Sequence, residues 1–108
     1  MRVRLWRLAP RLWLWQRRSG RPLDVMIAHA APQGIHDGPG AHRGFEVFRW
    51  LIQTFQPRFF VHGHVHPSYG YNRVMESRVG QTTVINTVGY RVLEIAPVQC
   101  ETARRALG

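Results

Sequence analysis

Two strand-length segments with an amphipathic segment between them most constrain how this chain of 108 residues folds. Residues 25–28 are a continuous apolar run, typical of a strand buried on both faces. Residues 44–55 carry apolar side chains at helical spacing, and Pro57 forbids that helix to continue. Residues 58–62 then form the next strand. A strand, a crossover helix and a strand predict two parallel neighbours joined by a right-handed connection.

The flanking segments complete an α+β prediction. Leucine and tryptophan spacing predicts a helix over residues 4–18, kinked or split at Pro10. Residues 73–79 and 82–87 read as a hairpin, and residues 90–95 alternate as a further strand. We divide the chain into a basic amphipathic N-terminal helix, a main domain and a polar tail that frays, at residues 1–22, 23–96 and 97–108.

Histidines follow both strands of the parallel unit. His29 ends the first strand, and His64 lies just past the second, within the run His62-Gly63-His64-Val65-His66. Because the carboxyl ends of parallel strands share one edge, we expect His29 and His64 to meet there, with His66 addressing the same region. Gly63 is expected to let the backbone turn tightly. Imidazole is the commonest metal ligand among side chains, so His29, His64 and His66 form the candidate metal site. His62 is left out because its side chain is expected to point the opposite way from that of His64.

The long loop between the first strand and the helix holds further polar candidates. His36 and His42 either contact a substrate or pack the loop, and the sequence leaves both open. Asp37 also lies in this loop, at no spacing that suits a bridging ligand, and Asp24 begins the first strand at the opposite edge of the sheet. Three imidazoles without carboxylates suit zinc with an open fourth position, as in a standalone zinc hydrolase.

Charge and cysteine content bound the class of protein. The formal charge is +9, and all 15 cationic side chains are arginine against 6 acidic ones. Arginine binds phosphate and carboxylate through a fork of donors, which suits a polyanionic partner. The arginines are spread along the chain, however, which favours a solvated basic face. A single cysteine, Cys100, excludes an internal disulfide, and an inert thiol is favoured over a metal ligand.

The N-terminal helix admits two interpretations. A cationic helix that carries Trp6, Trp13 and Trp15 can lie on a membrane surface or pack on its own domain, and periodic apolar stripes favour packing. The apolar stretch is too short to span a bilayer, and Arg7 and Arg11 interrupt it, so it is not read as a signal peptide. We expect a cytoplasmic protein without a transmembrane segment.

Three segments resemble a known family. Residues 27–32 (Ile-Ala-His-Ala-Ala-Pro) and 63–66 (Gly-His-Val-His) resemble the last two metal motifs of the calcineurin-like metallophosphoesterases. Residues 86–91 (Asn-Thr-Val-Gly-Tyr-Arg) resemble the stretch that follows them in bacterial members. The likeness spans about residues 23–96, and the His-Gly-His-x-His element is its most specific part.

The resemblance implies a hydrolase with a β-sandwich flanked by helices. Such a phosphatase hydrolyses phosphate mono- or diesters at a centre of two divalent ions, manganese, iron or zinc. His29 and His64 would hold one ion and His66 the other. Ions about 3.5 Å apart clamp the phosphoryl oxygens and lower the pKa of a bridging water.

The earlier motifs of that family have no counterpart in this sequence. They are an Asp-x-His pair, a bridging Asp and an Asn-His whose histidine is the usual general acid. The resemblance therefore implies a fragment, the C-terminal half of a metallophosphoesterase, from a truncated gene model, a degenerate copy or a split enzyme. A missing N-terminal half would pair with an apolar sheet face left exposed. The alternative is a non-catalytic basic module that binds nucleic acid or an anionic membrane surface.

Overall fold

The structure, a computed structural model, describes residues 2–66 and 74–97 as a small α+β protein. The elements, in chain order, are α1 (Arg2–Ser19), β1 (Val25–Ile27), a 3-10 turn (Gly40–His42), α2 (Glu46–Phe55), β2 (Phe59–His62), β3 (Glu76–Val79) and β4 (Thr82–Asn86). The strands form a mixed four-stranded sheet in the order β1-β2-β4-β3. Cys100 and the rest of the tail after residue 97 lie outside the described residues, as does residue 73.

The parallel unit and the hairpin are confirmed. β1 pairs with β2 in parallel, with Ile27 opposite Val61. β3 and β4 pair antiparallel across the predicted turn, and β4 adds in parallel to the other side of β2. The carboxyl ends of three adjacent strands, β1, β2 and β4, therefore lie at the same edge of the sheet.

The hydrophobic core lies between one face of the sheet and the two helices. Met26, Phe60 and Val84 are aligned across β1, β2 and β4 and face this core. The core contains these buried apolar residues: Leu12, Val47, Phe48, Leu51, Ile52, Phe55, Phe60 and Val84. Burial of each large apolar side chain in this set stabilises the folded state by about 1.5–3 kcal/mol.

α1 is continuous through Pro10, so the predicted split is wrong. A proline ring removes one backbone donor, yet its fixed φ is helical. Leu5 and Ala9 on one side of Pro10 and Leu12 on the other pack against the same core. This packing on α2 holds the two halves of the helix together. No helix within residues 2–66 and 74–97 is long and apolar enough to cross a membrane.

The face of β1 opposite the helices is open, which corrects the prediction that both faces of this strand are buried. Ile27 is 77% exposed, because its side chain projects from the sheet face opposite the helices. Val25, Phe59 and Val61 share that face by register and are only half-buried. A continuous apolar run indicates a strand here, but it does not reveal whether both faces are covered.

Residues 90–95 do not form a strand, so that prediction is also wrong. Tyr90 is 89% exposed and Val92 is 82% exposed. In the described part of the chain, β3 already occupies the free side of β4. Alternating side chains form a strand only where a sheet edge offers backbone partners, and none reaches this segment.

Candidate functional site

The backbone ladder between β1 and β2 continues past both strands and sets the position of the histidines. The Ala28 amide donates to the Val61 carbonyl over 2.9 Å, and the Gly63 amide donates to the His29 carbonyl, also over 2.9 Å. These bonds hold the segment after β1 beside the segment after β2. His29 and His64 consequently reach the same edge of the sheet, as the sequence predicts.

The two imidazoles are in direct contact. His29 Nε2 lies 3.1 Å from His64 Nδ1, and the ring centroids are 4.8 Å apart. His64 Nε2 lies 3.2 Å from the Ala41 carbonyl oxygen. Because a carbonyl only accepts, Nε2 carries the hydrogen and Nδ1 presents its lone pair to His29. A backbone carbonyl that orients a ring in this way is the usual outer partner of a metal-binding histidine.

A tight turn centred on His64 aims its ring. His64 has φ +65°, and the Val65 amide donates to the Gly63 carbonyl over 2.7 Å. A three-residue turn with positive φ is strained for a residue with a side chain. Gly63 is not among the described residues with positive φ, so the expectation that it supplies the tight turn is corrected.

Asn86 at the end of β4 anchors this turn. Its Nδ2 donates to the Val65 carbonyl over 2.7 Å, and its Oδ1 accepts from the Val88 amide over 3.1 Å. Asn86 is 2% exposed, so both bonds form away from solvent. A buried amide with satisfied partners is well suited to hold a strained backbone. The sequence pointed to Asn86 only as the first residue of the stretch 86–91 that resembles a known family, and it assigned this side chain no role.

The ring of His42 contacts the ring of His64, whereas His36 contacts neither His29 nor His64. The 3-10 turn places the ring of His42 with its centroid 4.8 Å from that of His64. His36 is buried, with φ +56°, and its Nδ1 lies 3.0 Å from His62 Nε2. His36 Nε2 also lies 2.7 Å from the Ser77 hydroxyl. His36 and His62 therefore form a polar contact inside the protein, away from the exposed edge.

Burial favours the neutral forms of His36 and His62, which we call the inner histidine pair. Removal from solvent, aided by the neighbouring His62, lowers the pKa of His36 to about 4. Burial also lowers the pKa of His62, against a smaller opposing effect of its hydrogen bond to Gly63. Neutral imidazoles donate through one nitrogen and accept through the other, so two rings and one hydroxyl can satisfy one another.

The two aspartates of the described chain bond groups away from His29 and His64. Asp24, at the start of β1, bonds Arg58 over 3.1 Å and Arg21 over 3.2 Å, and the Arg58 hydrogen bond lowers its pKa most. Asp37 Oδ2 accepts from the amides of Gly34 and Gly44 over 3.0 and 2.9 Å and so closes the long loop.

His29 Nε2 and His64 Nδ1 are spaced like two nitrogen ligands of one metal ion. Two nitrogens bound to one tetrahedral zinc lie about 3.3 Å apart, close to the separation of His29 Nε2 and His64 Nδ1. His66, two residues after His64, is exposed. Within residues 2–66 and 74–97, no three or more His, Cys, Asp or Glu side chains are grouped so as to hold a metal ion. The separation of His29 Nε2 and His64 Nδ1 thus suits two ligands of one ion.

An apolar pocket of about 470 Å³ opens beside the histidine pair. Ile27 and Phe45 contribute to its walls, and His29 and His64 supply the polar side. Comparison with known proteins finds no family model, no curated protein and no solved structure that matches this chain.

Proposed function

We propose that this chain is the metal-binding C-terminal half of a phosphoesterase of the metallophosphoesterase type. The main support for this proposal is the 3.1 Å contact between His29 Nε2 and His64 Nδ1 at the ends of neighbouring parallel strands. As it stands, this contact is a hydrogen bond in which His29 Nε2 donates to His64 Nδ1. An ion would take the place of that hydrogen, with His29 in its Nδ1–H tautomer and both nitrogens directing their lone pairs at the ion.

The metal would be zinc, manganese or iron. When bound, such an ion polarises a phosphoryl oxygen and lowers the pKa of a bound water. His29 and His64 would hold it, and the Ala41 carbonyl keeps His64 in the tautomer that binds. His66 remains the proposed ligand of a second ion, and His42, in ring contact with His64, is the proposed contact for the phosphate ester.

The remaining ligands would come from a segment outside this sequence. Hard cations prefer carboxylate oxygens, and Asp24 and Asp37 are both engaged away from the histidines. The half-exposed sheet face at Ile27, Phe59 and Val61 is where a second sheet of a β-sandwich would pack. The chain alone would accordingly bind metal but turn over phosphate esters little or not at all.

Calorimetric titration of the purified chain with zinc chloride tests the metal site. We expect one ion per chain, and His29→Ala or His64→Ala to weaken binding more than about a hundredfold, beyond the usual effect of losing an outer partner. His36→Asn is the matched control, because it removes a histidine that does not touch the pair. Equal zinc affinity in His64→Ala and the unmodified chain contradicts the proposal.

Hydrolysis of bis(p-nitrophenyl) phosphate with added manganese tests the catalytic part. Turnover by the chain alone is expected to be at or near the uncatalysed rate. If turnover is found, it must disappear in His64→Ala, and turnover that survives that change excludes a role for this site.

A further inference from the structure

α1 presents two opposite stripes of side chains. Leu5, Ala9, Leu12 and Gln16 follow one another at spacings of three and four, and this inner stripe packs on the domain. Leu12 is 7% exposed, and Gln16 Nε2 donates to the Phe55 carbonyl over 3.3 Å. The helix is therefore docked by its inner stripe, and its other side is available.

The outer stripe repeats the same spacing two residues later, which is the opposite side of a helix. We call it the arginine stripe, and it consists of Arg7, Arg11, Leu14 and Arg18. All four side chains are exposed. Exposed apolar residues border it on both sides: Trp6, Leu8, Trp13 and Trp15.

In residues 2–66 and 74–97, no acidic side chain forms an ion pair with the arginine stripe. α1 contains no acidic residue. Among the described residues, the ion pairs of arginine are those of Arg21, Arg58 and Arg91, none of which belongs to the stripe. Arg17 beside it covers the Trp13 ring at 4.8 Å, which adds a cation to the aromatic border.

A groove in this surface has the character of a lipid headgroup site. Arg11 and Arg18 lie one above the other, with Leu14, Trp15 and Ser19 between and beside them, around a space of about 430 Å³. One guanidinium group can donate two parallel hydrogen bonds to two oxygens of a phosphate. Tryptophan prefers the boundary between headgroups and acyl chains, and an exposed leucine gains free energy by entering it.

We propose that the outer side of α1 binds the surface of a membrane rich in anionic phospholipid, with the helix lying flat. The helix is about 27 Å long, so the whole stripe can touch headgroups while the inner stripe stays packed. Leu14, in the middle of the stripe at 43% exposed, and Leu8, at 46% exposed, favour a lipid surface over a nucleic acid. Phosphodiester backbones reward arginine and stacked aromatic rings, but they offer nothing to an aliphatic side chain.

Flotation with lipid vesicles tests this proposal on the full chain. We expect binding to phosphatidylcholine vesicles that contain phosphatidylserine and little binding to phosphatidylcholine alone. Each arginine near such a surface strengthens binding about fivefold, so Arg7→Gln, Arg11→Gln and Arg18→Gln together should weaken it roughly a hundredfold. The matched control changes Arg43, Arg49 and Arg78 to Gln, which removes the same charge from exposed positions outside α1. Equal losses in the two triple variants overturn the proposal.

Quenching measurements distinguish insertion from simple charge attraction. In a variant that keeps Trp13 and replaces Trp6, Trp15 and Trp50 by Phe, phospholipids brominated on their acyl chains should quench the fluorescence. Inorganic phosphate should neither quench it nor displace the chain from vesicles. Binding without quenching, or tighter binding to a DNA duplex than to anionic vesicles at equal salt, overturns the assignment to a membrane.

Discussion

His62 and His64 are two residues apart, yet their rings make contacts in different regions of the molecule. His62 Nε2 lies 3.0 Å from His36 Nδ1 in the interior, and His64 Nδ1 lies 3.1 Å from His29 Nε2 at the exposed edge. The two rings do point to different places, as expected, but strand alternation is not the reason and does not explain the difference, because in a regular strand residues two apart share a face. The turn centred on His64 explains it, because its positive φ redirects the chain after β2.

The first prediction concerns the inner histidine pair and pH. The pKa of His36 is lowered from 6.5 to about 4, so between these values the unfolded chain binds a proton that the folded chain does not. The contribution of His36 to the free energy of unfolding is therefore complete above about pH 6.5. It is lost as the pH drops, and the loss is roughly 3 kcal/mol at pH 4. Urea unfolding across this range measures the slope. His36→Asn, which tolerates positive φ and cannot titrate, should flatten the curve, and an unchanged slope would contradict the assignment.

The second prediction contrasts two glycines. A Cβ on Gly44 would collide with the backbone carbonyl of Pro32, where the long loop crosses the start of α2. Gly44→Ala should destabilise the fold by about 1–3 kcal/mol or more, because the obstructing atoms are backbone. A Cβ on Gly63 meets only the His29 carbonyl oxygen at 3.9 Å, an ordinary contact.

Gly63→Ala should accordingly change stability little, and zinc binding should survive it. Thermal unfolding of the two variants provides the comparison. A larger loss in Gly63→Ala than in Gly44→Ala would show that the turn is arranged differently.

The third prediction concerns the anchor of the His64 turn. Asn86→Ala leaves the Val65 carbonyl and the Val88 amide without their partner, and we expect a loss of about 1–3 kcal/mol of unfolding free energy. Zinc affinity should fall as well, since His64 is no longer held. Thr83→Val on the same strand is the control. Chemical denaturation combined with calorimetry separates the two effects, and zinc affinity that is untouched in Asn86→Ala argues against positioning through β4.

The fourth prediction tests the open sheet face. Ile27→Thr keeps a β-branched residue and removes apolar surface at a position 77% exposed, so stability should change by no more than about 0.5 kcal/mol. Binding of a hydrophobic dye and self-association in analytical ultracentrifugation should both decrease. Met26→Thr, on the core face of the same strand, should instead destabilise the protein. Dye binding that is equal in Ile27→Thr and the unmodified chain would indicate that this face is already covered.

The sequence predicts the parallel unit and the hairpin because both follow from local patterns. Apolar runs, Pro57 and the turn at Gly80-Gln81 specify them, and the meeting of His29 with His64 follows from parallel pairing. The contact of His42 with His64 depends on how the long loop closes around Asp37, which no periodicity reveals. The buried contact between His36 and His62 is equally non-local, since 26 positions separate them.

The failures share one cause, which is tertiary context. Alternation in residues 90–95 forms a strand only if a sheet edge supplies backbone partners, and this segment pairs with neither edge strand of the described sheet, β1 or β3. The run at residues 25–28 suits a doubly buried strand, but the face of β1 that carries Ile27 is open. Pro10 predicts a break in the helix, but residues before and after it pack on the same core, and the helix continues through it.

The bond from Asn86 to the Val65 carbonyl has a consequence for the order in which the protein acquires its chemistry. Both histidines of the exposed pair are synthesised well before β4, yet the backbone that aims His64 is secured only when that last strand docks. A nascent or truncated chain that stops short of β4 would contain every imidazole and still lack a preorganised pair, so metal uptake should report completion of the sheet.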